Sequence, residues 1–336
     1  MAWTQHICNN YLQEPYRCAS VGQKLYSFRC SGDERSCCGN VEVFVFDTVT
    51  YSHYTQPLVI RGNERQQQHI SISFVVAVSQ KIYVFGPVTK KRENIVEMYC
   101  FDTKTSEWTC IETMGGVAVH YFQCICAYEN KIFACVKTNK WNGNEEQQSI
   151  FALDLSTNMW KCVSKNPWNK KFNAVFAYIQ GSLVHVLLTK YCKSRGRIAL
   201  FDTISENFQW LDHTQGVPLP PLAKWLVFVH EDFLYVFADQ FFHFNVKPQW
   251  KIYRYCMKDN WWDEIMIEKT PINACFNDLV ALNSKVYFFS SEPRGIYVLD
   301  FAPSLTTLCF KAVCHSNLDT SVLPRTLQQD LKYFMW

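Results

Sequence analysis

Three groups of side chains in this chain could do chemistry, and each points to a different kind. The first is thiols and imidazoles, with 16 cysteines and nine histidines in 336 residues. Cys30, Cys37 and Cys38 crowd into "CSGDERSCCGN", residues 30–40. Thiolates so dense could hold zinc, but they form no CxxC pair and no second half-site with ligand spacing follows, so a structural loop and no metal are expected. Cys124 and Cys126 lie two apart in "FQCICAY", which on a strand puts both on one face as small buried hydrophobes. His243 stands between aromatics in "FFHFN" with no Asp, Glu, Ser or Cys at a spacing that would make it a base. No catalytic residue and no cofactor are assigned.

The second group is basic. Lys90, Lys91 and Arg92 fall in "PVTKKREN" (87–94), Lys190, Lys193, Arg195 and Arg197 in "TKYCKSRGR" (189–197), and Lys170 with Lys171 in "NPWNKKF" (166–172). Glu93 is the one acid in those segments. Arg35 and Arg294 occupy two further segments, 30–40 and 291–295. Arginine pairs with carboxylates and phosphates through a fork of N–H groups, so a basic rim suits an acidic or phosphorylated peptide. The third group is aromatic: Trp141, Phe242 and Trp250 stand off any repeat position in 137–148 and 239–250, where they could anchor a contact. Together Arg35, Lys90, Lys91, Arg92, Trp141, Lys170, Lys190, Lys193, Arg195, Arg197, Phe242, Trp250 and Arg294 form the expected partner-binding set. A formal charge of +3 is too small to imply nucleic acid.

The elements that must position these groups are strands. Aromatic residues make up 16% of the chain, well above the share in helical proteins, and they favour sheets. No run of 18 apolar residues offers a membrane span, and "MAWTQHICNN" lacks a secretory pattern. The cysteines are therefore expected as reduced thiols, in the cytosol or nucleus.

One pattern recurs six times. "QKLYSF" (23–28), "QKIYVF" (80–85), "NKIFAC" (130–135), "GSLVHV" (181–186), "DFLYVF" (232–237) and "SKVYFF" (284–289) align on Tyr26, Tyr83, Phe133, Val184, Tyr235 and Tyr287. Their intervals are 57, 50, 51, 51 and 52 residues. A second motif keeps the same phase, with Asp47, Asp102, Asp154, Asp202, Cys256 and Asp300 in one column. An aromatic follows six residues later at Trp108, Trp160, Phe208 and Trp262. Each unit thus holds four short strands a, b, c and d. A unit of about 50 residues cannot bury both faces of its sheet alone, and radial stacking of the copies would do so.

The pattern resembles the kelch repeat from about Trp3 to about Val313. It departs from it in glycine: a kelch repeat usually ends strand b with a glycine pair, where only Gly86 stands here, and the sole Gly-Gly, Gly115 and Gly116, falls between d and a. The resemblance implies an all-β, six-bladed kelch-type β-propeller of four-stranded antiparallel blades over 1–315. Blades are expected near 16–57, 70–112, 122–164, 172–212, 223–265 and 273–313, with a tail over 316–336. "AWTQHI" resembles a d strand without its own b and c, and residues 1–8 are a candidate to complete the last blade. The resemblance also implies a non-catalytic recognition module, the substrate-binding propeller of a cullin-3 ubiquitin ligase adaptor. Its BTB region is not seen in these residues. A cytoskeletal scaffold is the alternative, and a copper-holding propeller enzyme is a weaker one because the histidines are scattered.

Overall fold

In the computed structural model the described residues are 2–6, 17–31, 40–57, 72–86, 96–115, 122–138, 147–165, 167–168, 172–180, 182–190, 197–211, 215–217, 219, 224–239, 250–265, 274–291 and 294–301. They contain 25 strands. β1 is Ala2–His6; β2 Arg17–Val21, β3 Lys24–Ser31, β4 Asn40–Asp47 and β5 His53–Pro57 form the first sheet. The second holds β6 Phe74–Val78, β7 Lys81–Phe85, β8 Val96–Asp102 and β9 Glu107–Thr113. The third holds β10 Phe122–Tyr128, β11 Lys131–Thr138, β12 Gln147–Asp154 and β13 Met159–Lys165. The fourth holds β14 Phe172–Gln180, β15 Leu183–Lys190, β16 Arg197–Asp202 and β17 Phe208–Trp210. β18, Gln215–Gly216, joins β19 Lys224–His230, β20 Phe233–Asp239, β21 Trp250–Cys256 and β22 Trp261–Ile265 in a five-stranded fifth sheet. The sixth has β23 Phe276–Leu282, β24 Lys285–Ser291 and β25 Arg294–Asp300. This is the fold of an all-β, six-bladed propeller.

The sixth sheet has the order β1-β25-β24-β23, so its outer strand comes from the start of the chain. Ala2 pairs with Asp300 and His6 with Ile296. β1, within the stretch 1–8 named as a candidate to complete the last blade, is thus the edge strand beside β25. Residues 302–313, expected inside the sixth blade, lie outside the described residues.

Contacts divide the chain into two units. The larger is Arg17–Leu222 with Tyr255–Asp263, and the smaller is Met1–Tyr16, Ala223–Arg254 and Glu264–Trp336. Within the larger unit the first strands β2, β6, β10 and β14 pack one against the next. Between them lie cores that take residues from two neighbouring sheets each. Second strands carry unbroken apolar runs because both of their faces are covered: Ile82, Val84 and Phe85 are buried, as are Ile132 through Val136.

The repeat tryptophan crosses from one sheet to the preceding one. Trp108 on β9 meets Phe28 of β3 at 5.7 Å between ring centres, and Trp160 on β13 meets Phe85 of β7 at 6.3 Å. Trp160 also donates its indole N–H to Thr113 Oγ1 at 3.1 Å. In the smaller unit Trp3 on β1 takes the same position against Phe237 of β20, 6.0 Å away, and stacks on Phe276. Removing such a ring from a core costs about 3–5 kcal/mol, a large part of a domain's whole stability.

The Asp column builds the c–d turns. Asp47 Oδ1 accepts from the amides of Val49 and Thr50 at 2.9 and 3.0 Å, and Asp102 Oδ1 from Lys104 and Thr105 at 2.9 and 3.3 Å. The following threonine ties this turn to the neighbouring a–b turn. Thr48, Thr103 and Thr203 donate to the carbonyls of Gln23, Gln80 and Ser182 at 2.7, 2.8 and 2.9 Å. Four residues after the Asp column the backbone is left-handed, at Tyr51, Ser106, Asn158, Glu206 and Asn260. That conformation recurs because it sets the twist of the turn, even where the residue is not glycine.

Gly115 and Gly216 have a role that their place between d and a did not suggest. The chain leaving β9 runs parallel to the edge of β13, where Met114 N donates to Asn158 O and Trp160 N donates to Met114 O. After β17 the same arrangement recurs: Gln215 N donates to Asn260 O and Val217 N to Trp262 O. Each outer strand so covered loses part of its open edge. The glycine beside each bond has positive φ, and an added Cβ would stand 2.7 Å from Trp160 O at Gly115 and 2.1 Å from Trp262 O at Gly216. Gly216→Ala is expected to cost at least about 2 kcal/mol by urea unfolding. Gly22→Ala, at φ +60 with nothing within 4 Å, is expected to cost about 1 kcal/mol.

Candidate interaction face

In a sheet of four antiparallel strands, the starts of a and c and the ends of b and d lie at one end, and the a–b and c–d turns at the other. The turn end is occupied by its own hydrogen bonds. The other end is where the connections differ in length and chemistry, and a repeated scaffold presents its variable loops for recognition.

In the larger unit that end carries a polar cluster between the third and fourth sheets. Gln123 on β10 donates through Nε2 to Asn173 Oδ1 at 3.1 Å and accepts from the Ala174 amide at 3.0 Å. Lys137, near the end of β11, donates to the same Asn173 Oδ1 at 2.9 Å, and Gln148 Nε2 donates to the carbonyl of Phe172. Beside it stands an aromatic row. Trp168 is 5.8 Å from Phe208, Phe208 is 5.6 Å from Trp210, and Trp210 is 5.5 Å from Phe172. Arg197 is exposed at the start of β16, with its Cζ 5.4 Å from the Phe172 ring and 5.9 Å from that of Trp210.

Of the expected partner-binding residues, Arg35, Lys90, Lys91, Arg92, Trp141, Lys170, Lys193, Arg195 and Phe242 lie outside the described residues. Lys190 ends β15 opposite Phe172, and Arg294 opens β25 opposite Ser291, so each sits at the b–c end of its own sheet. Arg197 does the same and is exposed. Trp250 is a correction. It is the first residue of β21, buried at 7% exposure, and its indole N–H donates to Ala274 O at 2.9 Å. A ring enclosed by Phe237 and Phe276 is core, with no face left for a partner. Sequence reading missed Lys137, Asn173, Phe172 and Trp210. Phe172 directly follows Lys170 and Lys171, and Trp210 stands two residues past the repeat aromatic Phe208, the signals that could have marked them.

The thiols at this site are packing groups. Cys124 faces Cys135 across β10 and β11, and Cys124, Cys126 and Cys135 are all buried in the core shared with the fourth sheet. The Cys135 thiol beside Cys124, with burial, pushes the Cys124 thiol well above its ordinary range, and burial does the same to Cys126. Protonated, enclosed thiols are poor nucleophiles. Among the described residues no group of three His, Cys, Asp or Glu side chains could hold a metal ion.

The KLHDC2/KLHL20/DRC7 Kelch-repeats domain matches residues 16–238. The chain belongs to the kelch-repeat family. As a kelch propeller it is a protein-interaction module. It is similar to Kelch domain-containing protein 3 of Rattus norvegicus, 24% identical over 378 residues that cover 98% of this chain and 95% of that protein. A partial likeness joins it to N-(sulfonatooxy)prop-2-enimidothioate sulfolyase of Thlaspi arvense, 25% identical over 173 residues, 49% of this chain and 48% of that one. Among solved structures, Trypanosoma rangeli sialidase with 2,3-difluorosialic acid superposes with a TM-score of 0.54 at 9% identity, covering 95% of this chain and 59% of that one. That likeness is one of fold.

His185 gives this kelch propeller a titration of its own. It lies on β15, 6% exposed, stacked 4.6 Å from Tyr178, and among the described residues neither ring nitrogen has a hydrogen-bond partner. Burial lowers its pKa to about 4. The unfolded imidazole takes up a proton below about 6.5 while the folded one does not, so stability should fall between about pH 6.5 and 4 and then level. The loss should reach up to about 3 kcal/mol, and His185→Leu should abolish it in urea titrations. A separate acid window belongs to the turns. Amides of Thr50 and Ile204 lower Asp47 and Asp202, and the Ser156 hydroxyl lowers Asp154. Those contributions are present above the usual carboxylate range near 4 and are lost as pH falls through the lowered values.

Proposed function

We propose that this kelch propeller is a non-catalytic recognition module that takes an acidic or phosphorylated peptide at the b–c and d–a end of its sheets. The observation that carries the reading is Arg197, exposed at that end and backed by two aromatic rings, on the same connection as Lys190, Lys193 and Arg195. Charge and hydrogen-bond geometry favour oxyanions there. The turn end, by contrast, has its carboxylates and hydroxyls engaged within the fold. We further propose that the module serves a cullin-3 ubiquitin ligase as its substrate-binding part, through a BTB region outside these residues, in the cytosol or nucleus. That half rests on the kelch family membership.

The test is affinity capture from cell extract with the wild type and with Arg92→Glu plus Arg195→Glu, read by mass spectrometry. The double variant should lose the partners rich in acidic or phosphorylated segments while its stability stays within about 1 kcal/mol, as surface changes do. Equal capture by both proteins would refute the peptide reading. Partners recovered without cullin-3 from cells expressing the protein would remove the ligase half.

A further inference from the structure

Arg197 differs from an ordinary surface arginine in how it is held. Its guanidinium stands against Phe172 and Trp210, whose rings are 5.5 Å apart at 58° and so form a corner. Those rings continue through Phe208, at 88° to Trp210, to Trp168, which is buried. The corner is therefore anchored to the core between the third and fourth sheets, against which Phe172, Phe208 and Trp210 pack. Among the described residues no hydrogen bond or ion pair engages the guanidinium; its contacts are the two rings. A planar cation fixed by aromatic faces keeps its N–H edges available and has less freedom to lose on binding.

A second cation, Lys137 on β11, reaches the residue after Phe172. Phe172 precedes Asn173, whose Oδ1 holds Lys137 Nζ at 2.9 Å and Gln123 Nε2 at 3.1 Å. The backbone of Phe172 is itself fixed, since its carbonyl accepts from the buried Gln148. Arg197 and Lys137 are thus each held by neighbours, the first by two rings and the second by an amide oxygen. Among the described residues no acidic side chain forms an ion pair with Arg197.

We infer that Arg197, in the corner made by Phe172 and Trp210, is the specificity-determining contact for a side-chain oxyanion of the bound peptide, a carboxylate or a phosphate monoester taken in two parallel N–H···O bonds. The inference rests on the peptide-binding reading above and deepens it. It requires the guanidinium fork, so charge alone does not suffice: lysine at 197 keeps the charge but presents a single rotating ammonium. It also requires the corner, without which the arginine is one flexible surface cation among several.

The probe is a set of degenerate decapeptides, amidated at the C-terminus so that the central position alone varies among glutamate, phosphoserine and glutamine. Each set is incubated with the wild type, Arg197→Lys, and Trp210→Leu, and bound peptide is quantified. Wild type should retain the glutamate or phosphoserine set at least ten-fold over glutamine, and the ratio of the two anionic sets tells carboxylate from phosphate. Arg197→Lys should lose at least ten-fold of that preference with an unchanged melting temperature, and Trp210→Leu should lose part of it. Preference retained in full by Arg197→Lys would overturn this inference and leave the broader reading standing. No preference for either anion in the wild type would overturn both.

Discussion

A four-stranded sheet with apolar side chains on both faces cannot stay dry by itself, and every other feature of this protein answers to that constraint. Each second strand is apolar on both sides, from Leu25 and Phe28 in the first sheet to Phe288 and Phe289 in the sixth, and these residues are buried. A neighbouring sheet is needed on each side of such a strand. The tryptophan of one sheet reaching the second strand of the one before it is the local form of the same requirement, since the gap between twisted sheets is widest at the outer strand. Gly115 and Gly216 belong here too. They let the connecting chain lie close against the next outer strand, so that an edge which would otherwise be open is partly paired.

The constraint also separates the two ends of each sheet. At the turn end, backbone and side chains satisfy one another, with the same Asp and Thr positions used again and again. Repetition there leaves little room for individuality. At the opposite end the sheets are joined by connections of unequal length, and between the third and fourth sheets the side chains are polar and aromatic. Gln123, Lys137 and Asn173 cross from one sheet to the next through hydrogen bonds, beside the apolar contacts of the core the two sheets share.

The fold was legible because the second-strand pattern recurs six times and the Asp column, five times filled by Asp, keeps its phase. Register at the ends was less so. "AWTQHI" read as an orphan outer strand, and its pairing with β25 follows only from counting the strands that the last repeat lacks. Trp250 looked like a loop anchor because it follows a long irregular stretch, yet it opens β21 and its indole reaches Ala274. A tryptophan at a strand start cannot be told from one at a loop end by sequence, since its burial is decided by a residue 24 positions away. The glycines were visible but their purpose was not: a close approach to a carbonyl of the next sheet is a tertiary fact. The Arg197 corner escaped for the same reason. Its arginine stood out by charge, while the rings that hold it come from β14 and β17 and meet only after the sheet has formed.

Pairing of β1 with β25 has a consequence for the order of events during synthesis. During synthesis β1 must wait for a partner almost three hundred residues later, and until then it lacks the strand it pairs with in the sixth sheet. The first five sheets can each hydrogen-bond their strands as they emerge, through short-range contacts, whereas the sixth joins β1 to β25, strands far apart in the chain. Bringing such distant segments together carries the largest loop-closure entropy of any strand pairing among the described residues. The last sheet to be completed is therefore the slowest step available to this chain, and the interval before it is when a chaperone would find the most to hold.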